Sequence, residues 1–166
     1  MKLSTKGRYA VTALADIALQ GAVPQDGAKP DAVARHVSLS EIAERQDISL
    51  AYLEQLFARL RRAGLVDSVR GPGGGYRLSR PAAKVRIADI MAAVDERLNA
   101  MGCEGKEGQS CSGARAHCLT HDLWEQLSAH VHVFLSRTTL ADVVSDRMVP
   151  CPAVPDFASL AEEGAA

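Results

Sequence analysis

Three cysteines and one histidine are the residues of this 166-residue chain best suited to metal chemistry. Cys103, Cys111, Cys118 and His121 are separated by seven, six and two residues, in a segment rich in glycine, serine and charge. Such surroundings are untypical of buried core cysteines, so we interpret the four as metal ligands. Ligands of structural zinc are usually paired through about two to four residues. The longer gaps favour a larger object such as a 2Fe-2S cluster, with zinc as the alternative.

Two further residues of the same types are expected not to ligate. His117 precedes Cys118 but points elsewhere if the segment is helical, and Cys151 lies in the C-terminal tail. The N-terminal segment does not resemble an export signal, because Asp16 interrupts its apolar stretch. We therefore expect a cytoplasmic protein, in which thiols serve as ligands or reactive groups rather than as disulfides.

Positive charge is concentrated in one part of the chain. Residues 1–80 hold 12 basic and 8 acidic side chains, whereas residues 81–166 hold 7 and 12. Between Arg59 and Arg80 there are six arginines and a single acid, Asp67. This distribution is typical of a surface that meets phosphates, although a solvated charged face would look similar.

A helix predicted from Ser49 to about Ala63 carries the candidate base-reading residues. Its apolar stripe comprises Leu53, Leu56, Phe57 and Leu60. The opposite face comprises Ala51, Glu54, Gln55, Ala58 and Arg62. Gln55 can pair bidentately with adenine, and Glu54 can accept from the cytosine amino group. Near the helix end, Arg59, Arg61 and Arg62 suit phosphate contacts, which fix register without reading sequence.

The glycine-rich segment RGPGGGY, residues 70–76, lies between two stretches of alternating polarity and predicts a hairpin. It lacks the lysine and Ser/Thr of a phosphate-binding P-loop, and it does not stand between a strand and a helix. A slim wing explains the glycines better, because Gly73 and Gly74 remove bulk where Arg70 would enter a narrow minor groove. A simple tight turn is the less favoured interpretation.

The elements that must position these residues are mostly helical. Ser38 and Glu41 form a capping-box pattern that opens a short helix through Gln46, and Ser49 can cap the next helix, so the two make a helix-turn-helix. Other helices are predicted at 8–20, 86–98, 120–136 and 138–146, with a long surface loop at 21–37. The fold class is mainly α with a small β-hairpin wing.

This pattern divides the chain into four parts. Apolar residues of the long helix cover more than one face, which indicates packing against a second subunit. The predicted parts are a winged helix-turn-helix DNA-binding domain at 1–98, a cluster-binding loop at 99–121, a dimerisation helix region at 120–146, and a disordered tail at 147–166.

The sequence excludes a membrane-spanning protein and argues against an enzyme. No apolar run approaches the roughly 18 residues that a membrane-spanning helix needs, so we expect no membrane association. The sequence also shows no paired catalytic carboxylates, no nucleophile with a plausible base and no nucleotide motif, so an enzyme is not expected.

Several segments together resemble the iron-sulfur cluster regulators, within a family of bacterial winged-helix transcription factors. They are MKLSTKGRYAVTALADIAL, ISLAYLEQLFARLRRAGLVDSVRGPGGGY and CLTHDLWEQL, and the resemblance covers roughly residues 1–145. It implies that Cys103, Cys111, Cys118 and His121 hold a 2Fe-2S cluster, and that Glu54, Gln55 and Arg70 contact double-stranded promoter DNA in a homodimer. The DNA-contacting candidates are Ser49, Ala51, Tyr52, Glu54, Gln55, Arg59, Arg62, Arg70, Gly73 and Gly74.

The resemblance further implies control of cluster-assembly genes, as repressor or activator, with cluster occupancy altering which promoters are bound. Cluster-assembly scaffold proteins would then act as cluster donors. This chain departs from the family in its longer loop at 21–37 and in the wider spacing of its cysteines. Three alternatives follow: a zinc-stabilised regulator without sensing, a relative that senses nitric oxide or iron with a 4Fe-4S cluster, and a redox enzyme or cluster carrier.

Overall fold

A computed structural model describes residues 4–21, 36–71, 73–96 and 120–145 of the chain. The predicted fold class, mainly α with one small antiparallel hairpin, is confirmed. The elements are α1 (Thr5–Gln20), α2 (Leu39–Gln46), α3 (Leu50–Arg62), β1 (Val66–Val69), β2 (Gly75–Leu78), a 3₁₀ turn (Ala82–Lys84), α4 (Ile87–Ala93), α5 (His121–Arg137) and α6 (Leu140–Val144).

Helix α1 begins three residues earlier than the predicted residue 8, because Ser4 has extended backbone and stands at the N-cap. Its buried face includes Ala10, Ala13, Leu14 and Ile17, as the helical spacing requires. Gly7 is also buried, since a Cβ there would lie 2.7 Å from the Met91 sulfur. The missing side chain lets the end of α4 approach α1 closely.

The helix-turn-helix is attached to α1 by a buried ion pair. Asp16 is 3 % exposed and accepts from Arg45 through both oxygens, at 3.1 Å to Nε and 2.7 Å to Nη2. Gln46 donates to the same carboxylate at 3.2 Å. The hydrogen bond to Asp16, against the cost of burial, raises the pKa of Arg45. A buried carboxylate is tolerated only with such partners, so this contact fixes α2 against α1.

The caps of α2 and α3 differ from each other. The predicted capping box of α2 is confirmed, with the Ser38 hydroxyl accepting from the Glu41 amide and the Glu41 side chain accepting from the Ser38 amide. Ser49 stands at the N-cap of α3 as predicted, but its side chain makes no capping hydrogen bond. The Ser49 carbonyl instead accepts from the amides of Tyr52 and Leu53. Gly64 ends α3 as predicted, with φ +68°.

The hairpin and a preceding segment form the wing. Strands β1 and β2 pair antiparallel, with Val66 opposite Leu78 and Val69 opposite Gly75. Val37 adds a third edge, exchanging backbone hydrogen bonds of 2.9 and 2.8 Å with Tyr76. This contact holds the end of the predicted loop at 21–37 against the wing.

Helix α4 is shorter than the predicted helix at 86–98. Its last helical residue is Ala93, and Asp95 then has φ +54°, a left-handed conformation that cannot continue a right-handed helix. The amides of Asp95 and Glu96 donate to the carbonyls of Ala92 and Met91, at 3.1 and 2.9 Å. This is the Schellman arrangement, with aspartate where glycine is usual.

Helices α5 and α6 close the described part of the chain. Helix α5 matches its prediction but contains no buried residue. Helix α6 is shorter than the predicted 138–146 and begins with a capping box between Thr139 and Asp142, which the sequence analysis missed. The Leu140 amide donates to the Val85 carbonyl at 2.8 Å, which joins α6 to the start of α4. The core that these elements share includes Leu14, Ile42, Leu53, Phe57, Leu60, Ile90 and Leu140.

Residues 99–119 of the predicted cluster loop, most of the long loop and the predicted tail lie outside the described residues, as do Cys103, Cys111, His117, Cys118 and Cys151. Among the described helices, none combines the length and the apolar character that crossing a bilayer requires.

Candidate nucleic-acid interface and metal centre

Helix α3 presents its predicted base-reading residues on an open face. Leu53, Leu56, Phe57 and Leu60 are buried on the opposite side and fix the rotation of the helix. The exposed residues are Ala51, Glu54, Gln55, Ala58 and Arg62. Small alanines between the polar side chains leave room for a close approach of DNA to the helix.

Two further candidates at the start of α3 are placed differently. Ser49 is exposed and its hydroxyl makes no capping bond, so it remains available to a phosphate. Tyr52 is half-buried, and its ring meets the Tyr9 ring edge-on with centroids 5.9 Å apart. The contact with Tyr9 therefore braces the start of α3 against α1.

Three of the six arginines between residues 59 and 80 are paired with acids. All three pairs are solvent-exposed on both sides, so each contributes little to stability. The nitrogen–oxygen distances are 2.6 Å for Arg59–Asp95, 3.6 Å for Arg77–Asp67 and 3.1 Å for Arg80–Asp89.

The other three arginines form no ion pair within the described residues. Arg61 donates to the Ser68 hydroxyl at 3.4 Å. Arg62 and Arg70 are exposed, and within the described parts of the chain neither side chain has a hydrogen-bond or ion-pair partner. Arg62 is the last residue of α3 and Arg70 directly follows β1, so the helix and the wing each carry one unneutralised positive charge.

The tip of the wing depends on its glycines. Gly71 and Gly73 have φ of +107° and +75°, and the Gly74 amide donates to the Gly71 carbonyl at 2.9 Å. A Cβ on Gly74 would lie 2.3 Å from the Val69 carbonyl oxygen, so no other residue fits there without moving backbone. The result is a narrow tip beside Arg70, the shape that insertion next to a DNA backbone requires.

His121 is the one predicted cluster ligand within the described residues. It is half-buried in the first turn of α5, and its imidazole and the carboxylates of Asp122 and Glu125 offer ligand atoms within 4.8 Å of one another. The complete predicted donor set of three thiolates and an imidazole suits an iron-sulfur cluster, because soft sulfur ligands select iron-sulfur and zinc centres.

The sequence analysis did not predict which acids form ion pairs with the arginines. Asp89 and Asp95 lie 9 and 36 positions from their partners, and nothing in the local pattern around them identifies the pairing. Asp67 is the one acid within the basic run, and its pairing with Arg77 follows from the strand register.

A family model described as "Rrf2: Iron-dependent Transcriptional regulator" matches residues 3–146 of the chain. The chain belongs to the Rrf2 family. The resemblance found in the sequence is thereby confirmed, and Rrf2 proteins are transcriptional regulators rather than enzymes.

Curated Rrf2 relatives align with almost the whole chain. The HTH-type transcriptional regulator IscR of Cereibacter sphaeroides is 54 % identical over 163 residues, which are 98 % of this chain and 99 % of the relative. A putative HTH-type transcriptional regulator of Haemophilus influenzae is 49 % identical, over 96 % of this chain and 97 % of its own. IscR of Yersinia pseudotuberculosis is 50 % identical over 147 residues, which are 89 % of this chain and 81 % of the relative.

Solved Rrf2 structures share the fold. The structure of CymR, the global cysteine regulator of B. subtilis, has a TM-score of 0.66 at 32 % identity and covers 87 % of this chain and 97 % of its own. IscR of T. potens has a TM-score of 0.65 at 34 % identity and covers 96 % of both chains. The winged-helix architecture is therefore that of Rrf2 regulators.

Proposed function

We propose that the protein is a homodimeric, DNA-binding regulator of cluster-assembly genes, in which a 2Fe-2S cluster modulates promoter choice. The observation that carries this proposal is the donor set Cys103, Cys111, Cys118 and His121 in an Rrf2 chain. The family is described as iron-dependent, and relatives that are about half identical over most of the chain are named IscR. As repressor or activator, it acts in the cytoplasm and receives its cluster from scaffold proteins.

The cluster would be held by Cys103, Cys111, Cys118 and His121, and it supplies a centre whose presence depends on iron and sulfide. The imidazole must be deprotonated at the nitrogen that ligates. His121 begins α5, where the positive end of the helix dipole would favour the negative charge of thiolates bound to the same cluster. The carboxylates of Asp122 and Glu125, whose oxygens lie within 4.8 Å of the His121 imidazole, offset part of that effect.

DNA binding is assigned to α3 and the wing. Helix α3 enters the major groove, with Gln55 reading adenine and Glu54 reading cytosine. Exposed Arg62 and Arg70 supply phosphate and minor-groove contacts, and the slim tip at Gly73 and Gly74 admits that approach. A two-fold dimer presents two copies of α3 about one helical turn of DNA apart, so the target is a pseudo-palindrome.

Coupling between the two sites follows from chain order. The predicted cluster loop at 99–121 connects the DNA-binding domain at 1–98 with the dimerisation helix region at 120–146. Ordering that loop changes how the two copies of α3 are presented. A tenfold change in DNA affinity needs only about 1.4 kcal/mol of differential binding between the two states.

The decisive experiment is anaerobic purification followed by iron, sulfide and zinc analysis and visible absorption. We expect two irons and two sulfides per chain, together with loss of colour in Cys111→Ala and His121→Ala. Matched controls are Cys151→Ala and His130→Ala, which remove the same side-chain types from positions not expected to ligate. Loaded and cluster-free proteins are then titrated with promoter fragments of cluster-assembly genes.

Other results would select another function. A colourless protein with one zinc per chain supports the zinc-stabilised regulator, and four irons per chain support the 4Fe-4S relative. Cluster transfer without sequence-specific, salt-dependent DNA affinity would support a carrier. Unchanged promoter choice in Cys111→Ala would remove the sensing role and leave a transcription factor.

A further inference from the structure

The chain leaves α4 through two residues that are attached to other helices. Asp95 accepts from Nη1 of Arg59 at 2.6 Å through its carboxylate and from Nζ of Lys6 at 3.3 Å through its carbonyl. Arg59 lies in the last turn of α3, and Lys6 lies in the first turn of α1. Asp95 therefore connects the DNA-facing helix with the residues that precede the cysteine segment.

Glu96, the residue after Asp95, is also attached to the start of the chain's first helix. Its carboxylate accepts from the Ser4 amide at 2.9 Å and from the Ser4 hydroxyl. Burial raises the pKa of Glu96, but the Ser4 hydrogen bonds and the charge of Lys6 outweigh it and lower the pKa below its ordinary value. A Cβ on Gly7 would lie 3.1 Å from Cγ of Glu96, so this contact is close.

Asp95 occupies a conformation that glycine adopts at lower cost. At φ +54° a non-glycine residue is strained, although aspartate and asparagine tolerate this conformation better than most residues. The exposed pair with Arg59 offsets little of that strain, since exposed ion pairs contribute little to stability. The pair is therefore inexpensive to break, and its absence would not unfold the domain.

Arg59 is a phosphate-contact candidate whose guanidinium is already paired with the Asp95 carboxylate. In α3 it is 41 % exposed, while the Asp95 carboxylate is 78 % exposed and adds negative charge beside the surface that would meet DNA. A phosphate that displaces Asp95 would gain a charge-assisted bond of the same kind. DNA and Asp95 thus compete for one guanidinium.

We propose that Asp95 is a positioning residue that withholds Arg59 from DNA, and that residues 95–96 transmit the state of the cysteine segment to α3. The second half rests on the proposed function. Cys103 follows Asp95 by eight positions, so among the described residues that precede the cysteine segment Asp95 is the one bonded to α3 that stands nearest to it in sequence.

The competition is tested on cluster-free protein with a duplex of about 30 base pairs and random sequence, because phosphate contacts do not depend on sequence. Asp95→Asn keeps the left-handed conformation and frees Arg59. We expect binding at about 0.1 M salt to tighten roughly threefold to tenfold, and the slope of log affinity against log salt to become steeper by about 0.9, the value for one added phosphate contact. Thermal unfolding confirms that each variant is folded.

Two further variants separate competition from a general charge effect. Asp89→Asn removes the same charge from the exposed pair with Arg80, which is not among the DNA-contacting candidates, and its salt slope should stay that of the wild type. Adding Arg59→Gln to Asp95→Asn should abolish the gain. Equal slopes for Asp95→Asn and Asp89→Asn, or weaker binding by Asp95→Asn, would overturn the competition.

Transmission is tested by comparing loaded and cluster-free protein on the same duplex. We expect the ratio of their affinities to move at least twofold towards one in Asp95→Asn and to stay at the wild-type value in Asp89→Asn. A ratio unchanged by Asp95→Asn, or a wild-type ratio of one, overturns transmission. A wild-type protein without iron and sulfide refutes the proposed function and transmission together, whereas the salt slopes of cluster-free protein still decide the competition.

Discussion

The winged domain and helix α5 use similar residues in opposite ways. Phe57 on α3 is fully buried and meets Tyr76 of the wing with ring centroids 4.7 Å apart. Phe134 on α5 is 46 % exposed, and Leu123, Trp124, Leu127 and Val133 on the same helix are exposed as well. The first region completes its own hydrophobic core, whereas the second keeps these apolar side chains exposed within the described part of the chain.

The difference shows where each region obtains its stability. In the winged domain, α1, α2, α3 and α4 bury their apolar faces against one another. In α5, only Leu135 is among the partly buried residues that pack on that core. Exposed apolar surface of this extent marks an interaction site, which agrees with the homodimer that we propose.

Phe57→Ala should have the largest effect and would break the self-contained core. Removing a buried phenylalanine typically costs about 3–5 kcal/mol, from lost transfer energy and the cavity that remains. Urea unfolding followed by circular dichroism measures this loss. Phe134→Ala is the matched control and should cost under about 1 kcal/mol when extrapolated to low protein concentration. Similar losses in both variants would show that α5 has a core of its own.

The elements that could be predicted are those set by neighbouring residues. The capping box at Ser38 and Glu41, the end of α3 at Gly64 and the hairpin around the glycine-rich segment all follow from local rules. The exposed face of α3 follows from the spacing of its apolar residues. Confirmation of the fold class shows that these local signals agree with the tertiary structure.

The features that could not be predicted depend on contacts between distant residues. The buried pair of Asp16 and Arg45 spans 29 positions, and the bridge from Val37 to Tyr76 crosses the whole helix-turn-helix. The early end of α4 depends on the left-handed conformation of Asp95. Asp95 accepts hydrogen bonds from Lys6 and Arg59, which are distant in sequence. Propensity alone would have continued that helix, since aspartate is only a weak breaker.

Leu127→Glu should have the second-largest effect. It tests whether the exposed apolar residues of α5 form the subunit interface. A carboxylate placed in an apolar interface without a partner costs about 2–4 kcal/mol, so the dimer dissociation constant should rise at least ~30-fold. Sedimentation velocity over a range of concentrations measures it. Leu19→Glu, at an exposed leucine near the end of α1, is the control and should leave the dimer intact. An unchanged dimer in Leu127→Glu would place the subunit interface elsewhere.

Glu96→Gln should have the smallest effect on stability and tests the contact between Glu96 and Ser4 in the winged domain. The pKa of Glu96 is lowered in the folded protein by the Ser4 hydrogen bonds and Lys6, against the opposing effect of burial. Its carboxylate therefore stabilises the fold above the ordinary pKa of about 4.3, and this contribution is lost as the pH falls through the lower folded value. Urea midpoints from pH 7 to pH 3 should show wild type above Glu96→Gln at neutral pH, with the two converging in acid. Glu44→Gln, at an exposed glutamate of α2, should not show that convergence. A constant gap between wild type and Glu96→Gln would mean that the contact with Ser4 depends on shape rather than on charge.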